Sequence, residues 1–231
     1  MTRALLFDLD DTLYPERQFI RSGFRAVAAD VEARFGLRRR DALAVLLGAL
    51  RRGSRHGALQ DLCARYRLPL DLVPALVDVI RAHTPALRLP ASSRDALIDA
   101  RARGWRLGIV TNGFPALQAR KALALDLPRL VDAVVYANEW GTGAGKPERA
   151  VFDVALAKLG ARAPHAVFVG DDPRCDIFGA RQAGLFTIRM LRVPGLHGRA
   201  DACAPDRTVT DLGDALTAAG ELIATEVADA A

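Results

Sequence analysis

Three aspartates crowd the end of one short apolar stretch near the start of the chain. The sequence LLFDLDDTL places Asp8, Asp10 and Asp11 within four positions. Like charges at this density repel one another, so something must compensate for the clustering. Alternate residues of an extended segment can face the same side, as Asp8 and Asp10 would here. We interpret Asp11 as a residue that caps the turn that follows.

Polar residues also lie at the ends of two later apolar runs and in the stretch between them. The stretch WRLGIVTNG ends in Thr111 and Asn112, and HAVFVGDD ends in Asp171 and Asp172, with a further aspartate at position 176. Between these two stretches, the glycine-rich GTGAGKP carries one of only three lysines in the chain, Lys146. The set therefore combines carboxylates, a hydroxyl, an amide and one ammonium group.

Phosphoryl transfer through a covalent intermediate requires this combination of groups. One aspartate can attack phosphorus and form an aspartyl-phosphate. A second carboxyl group nearby can protonate the leaving alcohol and then activate water. A hydroxyl and an ammonium group would hold the phosphoryl oxygens, and the ammonium also limits repulsion among the carboxylates. Hard oxygen ligands of this kind suit Mg²⁺.

These groups can meet only if the chain places the ends of its apolar runs at one edge. From residue 85 onward, runs of strand length alternate with segments of helical periodicity, among them ALQARKALALDL and CDIFGARQAG. This alternation predicts an α/β fold, a Rossmann-like core of three layers in which helices cover both faces of a parallel sheet. Ligands of such sheets bind at the carboxyl ends of the strands, so we expect the polar groups to meet there.

A second part of the chain shows helical patterning alone. From residue 16 to 84, apolar residues recur at helical spacing and no strand-like run interrupts them. The first of these helices, RQFIRSGFRAVAADVEARF, should end at Gly36. The sequence therefore predicts a catalytic core of residues 1–15 and 85–231, with a helical bundle of residues 16–84 inserted as a cap after the first strand.

The bulk composition narrows the class of protein. The chain has 231 residues, of which 51% are hydrophobic, and a net charge of +5. No apolar run approaches the roughly 20 residues of a membrane span, and the first residues do not read as a signal peptide. The arginines are scattered, whereas nucleic-acid-binding surfaces cluster them. We expect a cytoplasmic protein, a monomer or homodimer, with neither nucleic acid nor membrane among its partners.

Four motifs in this chain resemble, in order, those of the haloacid dehalogenase superfamily. They are FDLDDTL, VTNG, GKP and VGDDPRCDIFGARQAG, and the resemblance covers almost the whole chain. The helical insertion directly after the first motif is similar to that superfamily's C1-type cap. The resemblance implies the same α/β core and a cap that closes over the site and chooses the substrate.

The resemblance also implies roles for the aspartates. Asp8 would be the nucleophile and a metal ligand. Asp10 would be the general acid and base, and its backbone carbonyl would also bind the metal. Asp171 would bind Mg²⁺ through its carboxylate. Either Asp172 or Asp176 would support the metal directly or through water, and the sequence does not choose between them.

The remaining motif residues would bind the substrate. Thr111 would contact the phosphoryl group, Asn112 would help to line the site, and Lys146 would orient both Asp8 and the transferred phosphoryl group. Dehalogenase members lack a carboxylate at the position of Asp10, so the resemblance favours the phosphatase branch and a small phosphorylated metabolite as substrate. A phosphomutase of the same fold and a non-catalytic phosphate-binding or regulatory protein are the alternatives.

Overall fold

A sheet of six parallel strands carries the predicted site residues. The computed structural model describes residues 2–53, 55–141, 143–191 and 203–229. Its strands are β1 (Ala4–Phe7), β2 (Arg106–Thr111), β3 (Ala133–Tyr136), β4 (Ala166–Gly170), β5 (Phe186–Met190) and β6 (Arg207–Val209). They lie in the order β3-β2-β1-β4-β5-β6, so the strand order reverses beside β1. The predicted parallel α/β sheet is confirmed, and a reversal of this kind is where such sheets bind ligands.

The two central strands are apolar throughout, since helices cover the sheet on both faces. Every residue of β1 and of β4 is buried, as expected for strands with no solvent-facing side. The register pairs Phe7 with Ile109 of β2 on one side and with Val169 of β4 on the other. The ends of these strands therefore lie level with one another, and the residues that follow them begin at one edge.

An all-helical unit, Arg17–Leu87, is inserted after β1 and its loop. Its helices are α1 (Arg17–Phe35), α2 (Arg39–Arg51), α3 (Ala58–Tyr66) and α4 (Val73–Ala82). They bury an apolar core that includes Val31, Leu46, Leu62 and Leu76. The sequence placed the two boundaries of this unit after residues 15 and 84, and the structure divides the chain after residues 16 and 87.

Helices from the other unit, Met1–Glu16 with Arg88–Ala231, form the two outer layers. They are α5 (Ala91–Ala102), α6 (Pro115–Ala124), α7 (Arg149–Leu159), α8 (Gly179–Gln182) and α9 (Leu212–Asp229). Leu5 and Phe7 face α5 and α9, whereas Leu6 packs in a cluster with residues of α7 and α8. Neighbouring residues of β1 thus point to opposite layers, which confirms the three-layer core. Among the described helices, none has both the length and the apolar character that a membrane span needs.

Candidate active site

The loop after β1 places Asp8 at the edge of the sheet. The Asp8 N–H donates to the carbonyl oxygen of Val169 at 2.9 Å, so the ladder with β4 continues one residue past the strand. The chain then turns through Asp11, whose φ of 55° lies in the left-handed region that aspartate tolerates. The carboxylate of Asp11 accepts the N–H of Glu16 at 2.8 Å. The interpretation of Asp11 as a residue that caps this turn is confirmed.

Asn112 fixes the loop that carries Lys146. Its side-chain oxygen accepts the Lys146 N–H at 2.8 Å, and its side-chain nitrogen donates to the Lys146 carbonyl oxygen at 2.9 Å. Gly145 makes this approach possible, because a Cβ at that position would lie 2.7 Å from the Asn112 side-chain oxygen. The sequence predicted that Asn112 lines the site, and the structure adds that both ends of its amide hold the backbone of Lys146.

The ammonium group of Lys146 lies between two carboxylates. Its Nζ donates to Asp8 at 2.6 Å and to Asp176 at 2.7 Å, and the lysine is buried. Burial by itself lowers the pKa of Lys146, but the charges of Asp176 and Asp8 outweigh it and raise the pKa above its usual range. The side chain is therefore a permanent cation beside the predicted nucleophile.

Three carboxylates converge around this one lysine. Asp8, Asp171 and Asp176 each offer an oxygen, and these oxygens lie within 4.8 Å of one another. Burial, opposed by Lys146 and assisted by Asp176, raises the pKa of Asp8 to about 7. Burial, followed by the charges of Asp176 and Asp8, raises the pKa of Asp171 to about 9. The lysine does not neutralise the cluster, and a set of oxygen donors with excess negative charge fits Mg²⁺.

Asp172 and Asp176 have different surroundings, although both follow β4. Asp176 is buried, with one oxygen on Lys146 and the other accepting the N–H of Asp172 at 3.0 Å. The side chain of Asp172 instead accepts the N–H groups of Arg174 and Cys175, each at 2.8 Å. It thereby caps the π-helical turn Pro173–Phe178, which leads into α8. Of the two supporting residues that the sequence left open, the geometry favours Asp176.

Every residue that the sequence assigned to the site lines one cavity. Its volume is about 220 Å³, and its lining includes all eight of the predicted site residues together with Asp11, Glu16 and Cys175. Thr111 is buried at the end of β2, with its hydroxyl 2.6 Å from the Gln118 side-chain nitrogen. The strand ends therefore meet as the parallel sheet requires, and the roles of these residues stay predictions.

Sequence reasoning missed three residues that contact Asp10. Lys121 and Gln118 of α6 and Tyr14 of the loop after β1 all place a donor within 3.0 Å of its carboxylate. The segment ALQARKALALDL was predicted only as a helix. The available signal was that Gln118 and Lys121 lie three positions apart, so that they share a helix face, and that lysine is rare in this arginine-rich chain.

Comparison with known proteins supports phosphatase chemistry. Residues 2–184 match the sequence profile of the haloacid dehalogenase-like hydrolases. A glyceraldehyde 3-phosphate phosphatase of Methanopyrus kandleri is 33% identical over 217 residues, which cover 89% of this chain and 92% of that protein. A phosphoserine phosphatase of Thermus thermophilus is 30% identical over an alignment of 249 positions, which covers 94% of this chain and 98% of that protein.

A solved structure shares the fold. The putative haloacid dehalogenase-type hydrolase YfnB of Bacillus subtilis, bound to magnesium, superposes with a TM-score of 0.67 at 20% identity. The match covers 94% of this chain and 98% of that one. At this level of identity the likeness concerns the fold alone.

Proposed function

The chain belongs to the haloacid dehalogenase-like hydrolase family, and we propose that it is a Mg²⁺-dependent phosphatase of a small phosphomonoester. The reaction would pass through an aspartyl-phosphate on Asp8. The observation that carries this proposal is the position of Lys146, whose Nζ lies 2.6 Å from the Asp8 carboxylate and 2.7 Å from Asp176. A buried cation at a cluster of carboxylates suits a site that receives a phosphoryl group.

In the first step, a carboxylate oxygen of Asp8 attacks phosphorus while the bond from phosphorus to the alcohol oxygen breaks. Asp10 gives its proton to the departing alcohol. Lys146 and the hydroxyl of Thr111 hold the phosphoryl oxygens, whose charge they stabilise. In the second step, Asp10 takes a proton from water, the water oxygen attacks phosphorus, and Asp8 is released together with inorganic phosphate.

The carboxylates of Asp8, Asp171 and Asp176 fit a divalent cation, and the backbone carbonyl of Asp10 would complete the protein's share of the ligands. The raised pKa values of Asp8, about 7, and Asp171, about 9, support this assignment. Burial is the first cause of both shifts and the charges of neighbouring aspartates add to it, so the ionised carboxylates need more positive charge than Lys146 provides. When bound, Mg²⁺ would supply the missing positive charge and polarise the phosphoryl oxygens.

The names of the relatives suggest which phosphomonoesters to test. A glyceraldehyde 3-phosphate phosphatase and a phosphoserine phosphatase both align over most of this chain, so the substrate panel begins with those two compounds. Phosphoglycolate, sugar phosphates and nucleoside monophosphates complete it. The compound with the highest kcat/KM identifies the substrate class. The part that the helical unit plays in this choice stays a prediction.

Replacement of the nucleophile tests the proposal. We expect wild-type protein with Mg²⁺ to hydrolyse p-nitrophenyl phosphate and Asp8→Asn to reduce turnover to background, because an amide cannot form the acyl phosphate. Asp95, an exposed residue of α5, provides the matched control: Asp95→Asn should keep the wild-type rate. Circular dichroism checks that both variants are folded. Wild-type turnover by the Asp8→Asn variant would overturn the proposal.

A further inference from the structure

Three donors that do not line the cavity hold the carboxylate of Asp10. The Nζ of Lys121 lies 2.9 Å from one oxygen and 2.8 Å from the other. Tyr14 donates its hydroxyl to the first oxygen at 2.5 Å, and Gln118 donates its amide nitrogen to the second at 3.0 Å. Burial and the Asp10 charge raise the pKa of Tyr14 above its usual range, so its hydroxyl keeps the proton that it donates.

The burial of Lys121 runs against the hydrophobic pattern of its helix. Lys121 is 3% exposed, whereas Leu123 on the same helix is 66% exposed. A buried ammonium group must be paired, and a buried ion pair adds little net stability compared with apolar residues of similar volume. A leucine turned outward and a lysine turned inward therefore indicate that the Lys121 contact with Asp10 serves something other than stability.

Gln118 connects the carboxylate of Asp10 to the end of β2. Its amide nitrogen lies 3.0 Å from Asp10 and also 2.6 Å from the hydroxyl oxygen of Thr111. Gln118 and Lys121 are three positions apart on α6 and are both buried. One helix face thus holds the predicted acid and base together with the residue predicted to contact the phosphoryl group.

We propose that Lys121 is a positioning residue for the acid–base steps, which it serves by fixing the orientation of the Asp10 carboxylate. Two contacts of nearly equal length anchor both oxygens of that carboxylate to one nitrogen, while Tyr14 and Gln118 each hold one oxygen. Asp10 remains on the cavity lining with 21% of its side chain exposed. The inference rests on the proposed phosphatase reaction, in which Asp10 protonates the alcohol. Lys121 acts through Asp10 and lies outside the cavity lining.

The dependence of the rate on the leaving group tests this role. The value of kcat/KM reports the steps up to departure of the alcohol, where an alkyl leaving group needs a proton and p-nitrophenolate does not. General acid catalysis contributes about 10²- to 10⁴-fold. We therefore expect Lys121→Met to lower kcat/KM about 10- to 100-fold for the best alkyl phosphate of the panel, and less than about threefold for p-nitrophenyl phosphate.

Two further variants keep the experiment decisive. Lys158 is an exposed lysine of α7, and Lys158→Met should leave both rates at the wild-type level. If Lys121→Met does not fold, Lys121→Arg keeps the charge but moves the nitrogen atoms, and it should show a smaller loss confined to the alkyl phosphate.

The outcomes separate this inference from the proposed function. In Lys121→Met, equal losses of kcat/KM on both substrates, no loss on either, or a faster reaction of the alkyl phosphate would each overturn the positioning role. None of these results would contradict the proposed phosphatase activity. A wild-type protein that cleaves neither substrate with Mg²⁺ would overturn the proposed function, and the role of Lys121 with it.

Discussion

Asp172 and Asp176 lie four residues apart, and their carboxylates make different contacts. One oxygen of Asp172 accepts two backbone N–H groups at the start of the π-helical turn. Asp176 instead shares Lys146 with Asp8 and contributes an oxygen to the cluster of three carboxylates. The first contact is a helix cap, and asparagine makes such caps as well as aspartate does. The second contact depends on negative charge.

Replacing each of these two aspartates by asparagine should separate the two contacts. Asp176→Asn removes a charge that pairs with Lys146 and would support the proposed metal, and we expect the loss of such a supporting group to lower activity about 10- to 100-fold. Asp172→Asn keeps the cap, so stability should change by about 0.5 kcal/mol or less and most activity should remain. Phosphatase rates at several Mg²⁺ concentrations measure both effects. A larger loss in Asp172→Asn than in Asp176→Asn would contradict this assignment.

Among the individual site residues, the sequence predicts those that directly follow strands better than those that lie on helices. Asp8 and Asp171 directly follow strands whose ends the sheet aligns, so their positions follow from the fold class. Lys121 and Gln118 contact Asp10 because α6 turns one particular face toward β2. Periodicity alone would have turned Leu123 inward instead, and no local pattern in the sequence reveals that it is 66% exposed.

Among the elements, β4 and the turn that follows it approach one another closely at Gly170. A Cβ built at Gly170 would lie 2.5 Å from the Cβ and Cγ atoms of Asp176 and closer still to its Oδ2. The side chain of Asp176 has little room to move, because Lys146 and the N–H of Asp172 hold its two oxygens. The absence of a side chain at position 170 therefore allows the turn to place Asp176 in the cluster.

Gly170→Ala should displace Asp176 and so weaken the site. We expect about 1–3 kcal/mol lower stability, as for other overpacked positions, and a loss of activity similar to that of Asp176→Asn. Gly220 in α9 is the matched control, because a Cβ there meets nothing within 4 Å. Gly220→Ala should raise stability by about 0.4–1 kcal/mol. Thermal unfolding and phosphatase rates measure the two variants, and wild-type activity in Gly170→Ala would show that the turn adapts.

The sequence predicts some helices and strands more accurately than others. Alternating apolar runs and helical periodicity predict the parallel sheet, and the structure confirms α1 and its end before Gly36, whose φ is 68°. The segment CDIFGARQAG was predicted as an ordinary helix, but the structure begins it with the π-helical turn Pro173–Phe178. That departure depends on the Asp172 cap and on the fit of Asp176 against Gly170, and neither contact is visible as a periodicity.

For the whole molecule, the charge of the site is opposite to the charge of the chain. The chain carries a net charge of +5, yet seven of the residues that line the cavity are acidic and one is a lysine. Lys121 pairs with Asp10 from outside the lining, and charges elsewhere on the surface are screened over a distance of about 8–10 Å, so neither neutralises the whole cluster. Neutralisation must come from bound protons or a bound cation.

Protons would therefore compete with the proposed Mg²⁺ for the same carboxylates. In the metal-free protein the pKa of Asp8 is about 7 and that of Asp171 about 9, both raised from 3.8. The folded protein thus holds protons that the unfolded chain releases, and its stability falls as pH rises from about 4 through these two values. The proposed Mg²⁺ would bind the deprotonated carboxylates, so it should stabilise the fold more at high pH than at low pH.

We expect Mg²⁺ at about 100 times its dissociation constant to raise Tm by about 5–10 °C at pH 8. The increase should be much smaller at pH 5, where Asp8 and Asp171 keep their protons. Thermal unfolding in EDTA and in Mg²⁺ across this pH range measures the effect. Asp171→Asn, which lacks one of the charges, should lose most of the increase, and Asp95→Asn should keep it. An equal increase at pH 5 and pH 8, or in Asp171→Asn and wild type, would place Mg²⁺ away from this cluster.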